Sequence, residues 1–319
     1  PLPKETLDLC KKADATLFGA LGLPEYDDNP KAKVWPEQGL LRLRKELGLF
    51  ANIRPVKVFP SLVKQSPLPK ASVQNTDLVI FRELSGGIYY GNKSISEDQS
   101  SATDTCTYTE AEISRITHLA FKSARSRKKK VTLVDKANVL ETSRLWRRVV
   151  RSISESYPDV VLECLFIDNA AVQMILNPSQ FDVILTDNMF GDILSDQGSV
   201  IAGSIGLLPS ASVGLEHAMF EPIHGSYPDA KGKNIANPVA SILSMAMLLQ
   251  HFKMNEESDA VVAAVLKSFA KKIVTPDILG SSKYGTNYVG DFIADNIMEL
   301  DGTFTMNDEN IGLGKSTII

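Results

Sequence analysis

The chain has 319 residues, which at about 150 residues per domain predicts two domains. Apolar residues make up 44% and charged residues 23%, a globular composition that excludes global disorder. With 34 basic and 38 acidic side chains the net charge is −4, so there is no electrostatic basis for nucleic acid or an anionic membrane as partner.

Three cysteines, Cys10, Cys106 and Cys164, have no C-x-x-C spacing, which argues against a disulfide scaffold or a cysteine-rich zinc site. The longest apolar stretch, 236–249, is broken by Asn237, Ser241 and Ser244 and falls short of the roughly 20 residues that span a bilayer. A cytoplasmic α/β protein is expected. The opening Pro1-Leu2-Pro3-Lys4-Glu5 has no initiator Met, basic segment or apolar run, so no targeting peptide is read there. A chain that enters a helical pattern at once reads as cut rather than begun.

Apolar runs at 15–21, 78–83, 131–135, 160–167 and 183–186 alternate with helical patterns. That alternation predicts a largely parallel sheet covered by helices, with ligands gathered at the carboxyl ends of its strands. The first helix of interest spans 36–47. Pro36 suits its first turn, and Glu37, Leu41 and Arg44 then share one face with Leu40 beside them. That face can seat a small ligand with an apolar branch and an acidic end, or be a charge pair over core leucines. Arg54, in Ala51-Asn52-Ile53-Arg54-Pro55, and Arg82, closing an apolar strand, favour the ligand. The planar fork of arginine grips a carboxylate with two donors.

After Arg82 comes Glu83-Leu84-Ser85-Gly86-Gly87-Ile88-Tyr89. The two glycines permit a tight turn that returns Tyr89 towards Arg82; a plain hairpin with aromatic packing is the alternative. Nearby arginines would lower the Tyr89 phenol pKa and suit it to acid–base work. The basic run 125–130 reads as a solvated helix end. Lys136, just past the strand 131–135, can move a proton if its surroundings shift its pKa.

Acidic residues carry the sharpest signal. Asp192 and Asp196 lie at i and i+4, so both project from one helical face, where like charges repel. Asp168 ends the strand 160–167. Three aspartates without nearby His or Cys indicate a hard cation, Mg²⁺ or Mn²⁺, rather than zinc; an N-cap and a solvated face are the alternatives. Residues 200–212 are small and Gly-rich, and helices are expected at 238–251 and 259–273. The loop Phe220-Glu221-Pro222-Ile223-His224-Gly225-Ser226-Tyr227-Pro228-Asp229 precedes the first of them. It can offer backbone N–H groups, a ring and a carboxylate to an adenosine moiety. An acid there binds ribose hydroxyls and repels a 2′-phosphate. No G-x-G-x-x-G, P-loop or G-x-S-x-G follows any strand. The tail from 301 is polar and aperiodic.

Several blocks in order form a signature: Pro36-Glu37-x-Gly39-Leu40-Leu41-x-x-Arg44, Asn52-x-Arg54-Pro55, Arg82-Glu83-Leu84-x-Gly86-Gly87-x-Tyr89, Asp135-Lys136-Ala137-Asn138-Val139-Leu140, Asn188-x-Phe190-Gly191-Asp192-Ile193-x-x-Asp196 and Glu221-Pro222-x-His224-Gly225-Ser226. Over residues 1–290 the chain resembles the isocitrate/isopropylmalate dehydrogenase family of metal-dependent β-decarboxylating enzymes, and its 3-isopropylmalate branch in particular. The resemblance implies a two-domain α/β/α fold with a mixed sheet, not a Rossmann fold. One domain comprises 1–52 with 200–319, the other 53–199. It implies NAD-dependent oxidative decarboxylation of 3-isopropylmalate to 2-oxo-4-methylpentanoate, in leucine biosynthesis, by a homodimer.

Carried over residue by residue, Arg44, Arg54 and Arg82 clamp the malate carboxylates. Asp192, Asp196 and the partner's Asp168 hold Mg²⁺ or Mn²⁺, and Asp168 and Asp192 also face the substrate. Lys136, reaching across the dimer, helps remove the hydroxyl proton, and Tyr89 reprotonates carbon. Glu37, Leu40, Leu41 and Val139 surround the isopropyl group, with Asn138 beside them. Glu221, His224, Gly225, Ser226, Asp229 and Asn237 bind NAD.

Two departures accompany the resemblance. Trp35 stands where the family has Arg, and the family's opening strand with its D-G-x-G-P loop near the nicotinamide is not in this sequence. The piece from Pro1 is therefore expected to dimerise through 53–199 but to bind NAD poorly and turn over barely. A sister enzyme acting on isocitrate, homoisocitrate or tartrate is disfavoured, because Leu40 and Leu41 would strand those substrates' polar groups. A non-catalytic subunit is disfavoured by the retained arginines, Tyr89, Lys136 and aspartates.

Overall fold

The computed structural model describes residues 1–27 and 35–298. Its strands are β1 (Thr16–Leu17), β2 (Ala51–Lys57), β3 (Asp77–Glu83), β4 (Lys93–Ile95), β5 (Ala102–Asp104), β6 (Lys130–Asp135), β7 (Val161–Phe166), β8 (Val183–Thr186), β9 (Pro209–Val213) and β10 (Ala218–Pro222). Its helices are α1 (Lys4–Lys12), α2 (Pro24–Asp27), α3 (Pro36–Glu46), α4 (Lys70–Val73), α5 (Glu110–Arg125), α6 (Glu141–Ser154), α7 (Ile167–Leu176), α8 (Asn188–Ala202), α9 (Val239–His251), α10 (Asn255–Ala270) and α11 (Thr286–Met298).

Eight strands form one sheet in the order β1-β10-β9-β2-β3-β8-β6-β7, and β4 and β5 make a separate hairpin. The half around β3, β8, β6 and β7 is parallel, whereas β10, β9, β2 and β3 pair antiparallel. The sheet is therefore mixed. The expected boundary at 52/53 falls inside β2, which joins the two halves.

Both faces of the central strands are covered, as their unbroken apolar runs require. Val79, Phe81, Leu133 and Leu185 join the core under α5, α6, α9 and α10. Their neighbours Leu78, Ile80, Val134 and Ile184 point the other way, into a second cluster with Leu194 and Met174. This is the two-residue alternation of a strand, with apolar side chains on both faces. Helix α5 starts in a reciprocal cap, with Glu112 N–H donating to Thr109 Oγ1 and Thr109 N–H to Glu112 Oε2. That pairing satisfies two of the donors a helix start leaves open.

Four expectations need correction. The strand placed at 15–21 is only Thr16–Leu17, an edge strand paired with β10 alone. β2, β9 and β10 escaped the apolar pattern because Asn52, Arg54 and Pro55 interrupt the first and small residues fill the second. Asp168 lies in the first turn of α7 rather than at a strand end. The run 125–130 is not simply solvated, since Arg127 is buried between Asp77 and Asp182 and donates to both. The helix expected at 259–273 is α10, which begins earlier, at Asn255. The tail from 301 and residues 28–34 lie outside the described residues. Among the described residues no helix is long and apolar enough to cross a membrane.

Candidate active site

Where β2 and β3 run antiparallel, Asn52 sits opposite Arg82, and α8 packs against both strands. The face of α3 that carries Glu37, Leu40, Leu41 and Arg44 closes one side of the resulting cleft, and the loop 221–225 closes another. The cleft encloses about 380 Å³ and is lined by those four residues with Arg54, Arg82, Tyr89, Asp192, Glu221, His224 and Gly225. Ser210 and Ile223 also line it and went unread in the sequence.

The three arginines are buried and each is anchored. Arg44 Nη2 donates to Glu221 Oε1 at 2.8 Å. Arg54 Nε donates to Asn52 Oδ1 at 2.6 Å and its Nη1 to Ser195 Oγ. Arg82 donates from Nε and Nη2 to Asn188 Oδ1, at 3.0 and 2.8 Å, and from Nη1 to Asp192. Burial and the neighbouring Arg82 bring the Arg54 guanidinium down to about 10, so it remains charged at neutral pH. Gly191 makes this packing possible, because a Cβ there would stand 2.6 Å from Arg82 Cγ. Two buried polar atoms in the cleft wall, Arg44 Nε and His224 Nε2, have no hydrogen-bond partner among the described residues. Buried groups of this kind are satisfied by a ligand or water.

Tyr89 does return towards Arg82, whose Cζ lies 5.7 Å from the ring centroid. Its acidity moves opposite to expectation. Burial raises the phenol, and the Asp192 carboxylate that accepts its proton raises it further, to about 12; the pull of Arg82 and Arg54 is weaker. Tyr89 is held as an acid.

Asp196, at the cleft rim, lies 3.6 Å from Arg54 Nη1, close to the 3.5 Å between Arg54 and Asp192. Burial holds its carboxyl above the usual range against the pull of Arg54, and the neighbouring Asp192 charge adds to the effect. Asp192 and Asp196, two adjacent carboxyl groups one helical turn apart, are a donor pair suited to a hard divalent cation. Among the described residues, no three such ligands gather in the chain.

Lys136, Asn138, Val139 and Asp168 are not in this cleft. Lys136 stands on the turn after β6, with Nζ 2.6 Å from Asp168 Oδ1, and that hydrogen bond lowers the Asp168 carboxyl pKa. Val139 is exposed on the same turn. Ser226 and Asn237 line a second cavity of about 360 Å³, which shares His224 and Gly225 with the cleft and adds Asp277. Asp277 accepts from Asn237 Nδ2 at 3.0 Å and from Ser204 Oγ at 2.6 Å, and no sequence signal marked it. Asp229 is exposed on the short helix Pro228–Ala230 and does not itself line that cavity, though Tyr227 does.

The isocitrate/isopropylmalate dehydrogenase family profile matches residues 1–293. The chain belongs to this family. It is 52% identical over 299 residues to the 3-isopropylmalate dehydrogenase of Bacteroides fragilis (strain YCH46), covering 93% of this chain and 84% of that one. It is 50% identical over 311 residues to the 3-isopropylmalate dehydrogenase of Aquifex aeolicus (strain VF5), covering 96% and 85%. Among solved structures it resembles isocitrate dehydrogenase from Methylococcus capsulatus, with a TM-score of 0.83, 33% identity and 93% and 85% coverage.

This member of the family uses Trp35 outside the cleft. The indole Nε1 donates to the Tyr26 carbonyl at 3.1 Å, and the Trp35 backbone N–H donates to Gln38 Oε1 at 3.3 Å. The ring lines an apolar hollow with Leu2, Phe18 and Leu43, behind α3. Its effect is on how α3 is seated.

Proposed function

We propose that the protein is an NAD-dependent 3-isopropylmalate dehydrogenase that yields 2-oxo-4-methylpentanoate, carbon dioxide and NADH in leucine biosynthesis. The observation that carries this reading is the composition of the cleft, with Leu40 and Leu41 beside three buried arginines. A substrate with two carboxylates and a branched apolar arm matches that wall. A tricarboxylate would leave a charged group against the leucines.

In this reading Arg44, Arg54 and Arg82 hold the two carboxylates and fix the carbon skeleton. Glu37, Leu40 and Leu41 exclude water from the isopropyl arm. Asp192 and Asp196, with the partner's Asp168, would hold Mg²⁺ or Mn²⁺, which when bound polarises the substrate hydroxyl. The partner's Lys136, once it has given its own proton up, would take the hydroxyl proton, and NAD, when bound, would supply the hydride acceptor. Carbon dioxide leaves from the adjacent carbon, and Tyr89, held protonated, supplies the proton that this carbon takes up. His224, Gly225, Ser226, Asn237 and Asp229 would hold the adenosine end of NAD, with Glu221 between it and Arg44.

Because Lys136 and Asp168 lie outside the cleft of their own chain, we assign them to a second copy's site. Exposed Val172, Ile175 and Leu176 on α7 and Ile193 and Val200 on α8 supply an apolar surface for that contact. The two parts, 1–52 with 200–319 and 53–199, are proposed as the bodies that close on substrate. The three free thiols fit a cytoplasmic setting.

The test is NADH formation from NAD with 3-isopropylmalate and with isocitrate, Mg²⁺ present, before and after chelation. Strong preference for isopropylmalate and loss on chelation are expected. Equal rates on isocitrate would overturn the substrate assignment.

A further inference from the structure

Asn188 is almost fully buried at the first turn of α8, and every polar atom it directs into the site is used. Its Oδ1 accepts from both Nε and Nη2 of Arg82. Its Nδ2 donates to the Gly86 carbonyl at 3.1 Å. Its backbone N–H, one of the donors a helix start leaves open, donates to the Tyr108 hydroxyl at 3.0 Å.

These contacts tie three segments to one helix end. Arg82 has five N–H donors; Asn188 takes one from Nε and one from Nη2, and Asp192 takes one from Nη1. One donor remains on each terminal nitrogen, available to a carboxylate. A neutral amide does this without competing as a counterion, which a carboxylate at the same place would do.

Gly86 belongs to the turn that delivers Tyr89. Tyr108 packs on that turn so closely that a Cβ on Gly87 would meet its hydroxyl oxygen at 2.2 Å, and Gly87 has φ of +78°. Gly87 N–H also donates to the Thr107 carbonyl at 3.0 Å. Thus the turn is fastened to α8 through Gly86, and to the 107–108 segment through Gly87 and Tyr108.

We infer that Asn188 is a positioning residue that locks the Arg82 fork and the Tyr89 turn to the start of α8, so that the carboxylate grip and the proton donor are set as one unit. The inference rests on the dehydrogenase reading for the roles of Arg82 and Tyr89. It adds a residue that does not line the cleft and acts through its neighbours.

The experiment compares Asn188→Ala with the parent enzyme and repeats the substitution in a Tyr89→Phe background. Asn188→Ala is expected to raise KM for isopropylmalate about tenfold and lower kcat about tenfold, the scale of a misplaced reacting group. In the Tyr89→Phe background the KM rise should persist while the kcat loss largely disappears. Amide hydrogen exchange should quicken in residues 85–91 and stay unchanged in β6 and α5. KM and kcat within twofold of the parent, an undiminished kcat loss without the Tyr89 hydroxyl, or faster exchange throughout the chain would each overturn the inference.

Should Asn188→Ala fail to fold, Asn188→Asp keeps an oxygen for Arg82 but sets one against the Gly86 carbonyl, and quickened exchange confined to 85–91 is expected from it; unchanged exchange there counts against the inference. If the parent enzyme does not act on isopropylmalate, the functional reading fails, and the exchange pattern alone then decides the role of Asn188.

Discussion

Tyr89 donates its hydroxyl proton to Asp192 Oδ2 across 2.9 Å, and Asp192 at the same time anchors Arg82. One carboxylate therefore both holds Arg82, the arginine proposed to grip substrate, and helps keep the phenol protonated. Opposite charges on either side of Tyr89 would cancel at equal depth. The direct hydrogen bond to Asp192 and the loss of water decide the outcome.

Tyr89→Phe should lower kcat by about a hundredfold or more, the usual worth of a positioned proton donor, with KM little changed. The phenol sits at about 12, raised rather than lowered, so it stays protonated throughout the neutral range and cannot cause an activity loss there. The pH–rate profiles of parent and variant should share the same limbs. An alkaline limb below about pH 10 that vanishes in Tyr89→Phe would refute this, because only an unraised phenol titrates there.

Asp192→Asn in the presence of Mg²⁺ should abolish turnover while leaving the circular-dichroism spectrum intact. It removes a charge beside two buried arginines as well as one of the proposed cation ligands. Turnover within tenfold of the parent, or full activity of the parent in excess chelator, would contradict the assignment.

Asp187 caps α8, accepting from the Phe190 N–H at 2.8 Å. Burial raises its carboxyl from 3.8 to about 6. The folded chain therefore binds more protons than the unfolded chain between those values, and stability falls as pH rises through that window. Asp187→Asn keeps an effective cap and removes the buried charge. It should stabilise the fold by about 1–3 kcal/mol at about pH 8 and by little at about pH 4. Denaturant melts at both pH values, without added metal, give the answer, and equal gains at the two would be inconsistent with it.

Leu41→Ala should weaken the preference for isopropylmalate over isocitrate by about 1–3 kcal/mol, the worth of a few buried methyl groups. The ratio of kcat/KM values measures this. An unchanged ratio would move the recognition face off α3.

NAD should be preferred to NADP, because Asp277 places negative charge in the cavity that Asn237 lines and Asp229 follows its lining residue Tyr227 by two positions. Asp229→Lys should narrow the kcat/KM ratio between the two cofactors. A parent enzyme that used NADP equally well would displace the proposed adenosine site.

The helix face of Glu37, Leu40, Leu41 and Arg44 was legible because helical spacing alone groups those residues, and the i, i+4 aspartates were legible for the same reason. Apolar runs located β3, β6 and β8, whose two buried faces force such runs, and also β7, a half-buried edge strand. They could not locate β2, which carries Arg54 and Pro55, nor β9, whose side chains are small. Those strands are stabilised by their place in the middle of the sheet rather than by their own composition.

Local pattern therefore determined which residues carry charge, which faces are apolar and which blocks mark the family. Tertiary structure decided what the charges do. Arg127 is buried by Asp77 and Asp182, from segments 50 and 55 residues away, and the acidity of Tyr89 is set by Asp192, 103 residues further on. Asn188 likewise meets Gly86 across 102 residues. Desolvation and hydrogen-bond geometry depend on distance and depth in three dimensions, and neither quantity is written in the spacing of residues along the chain.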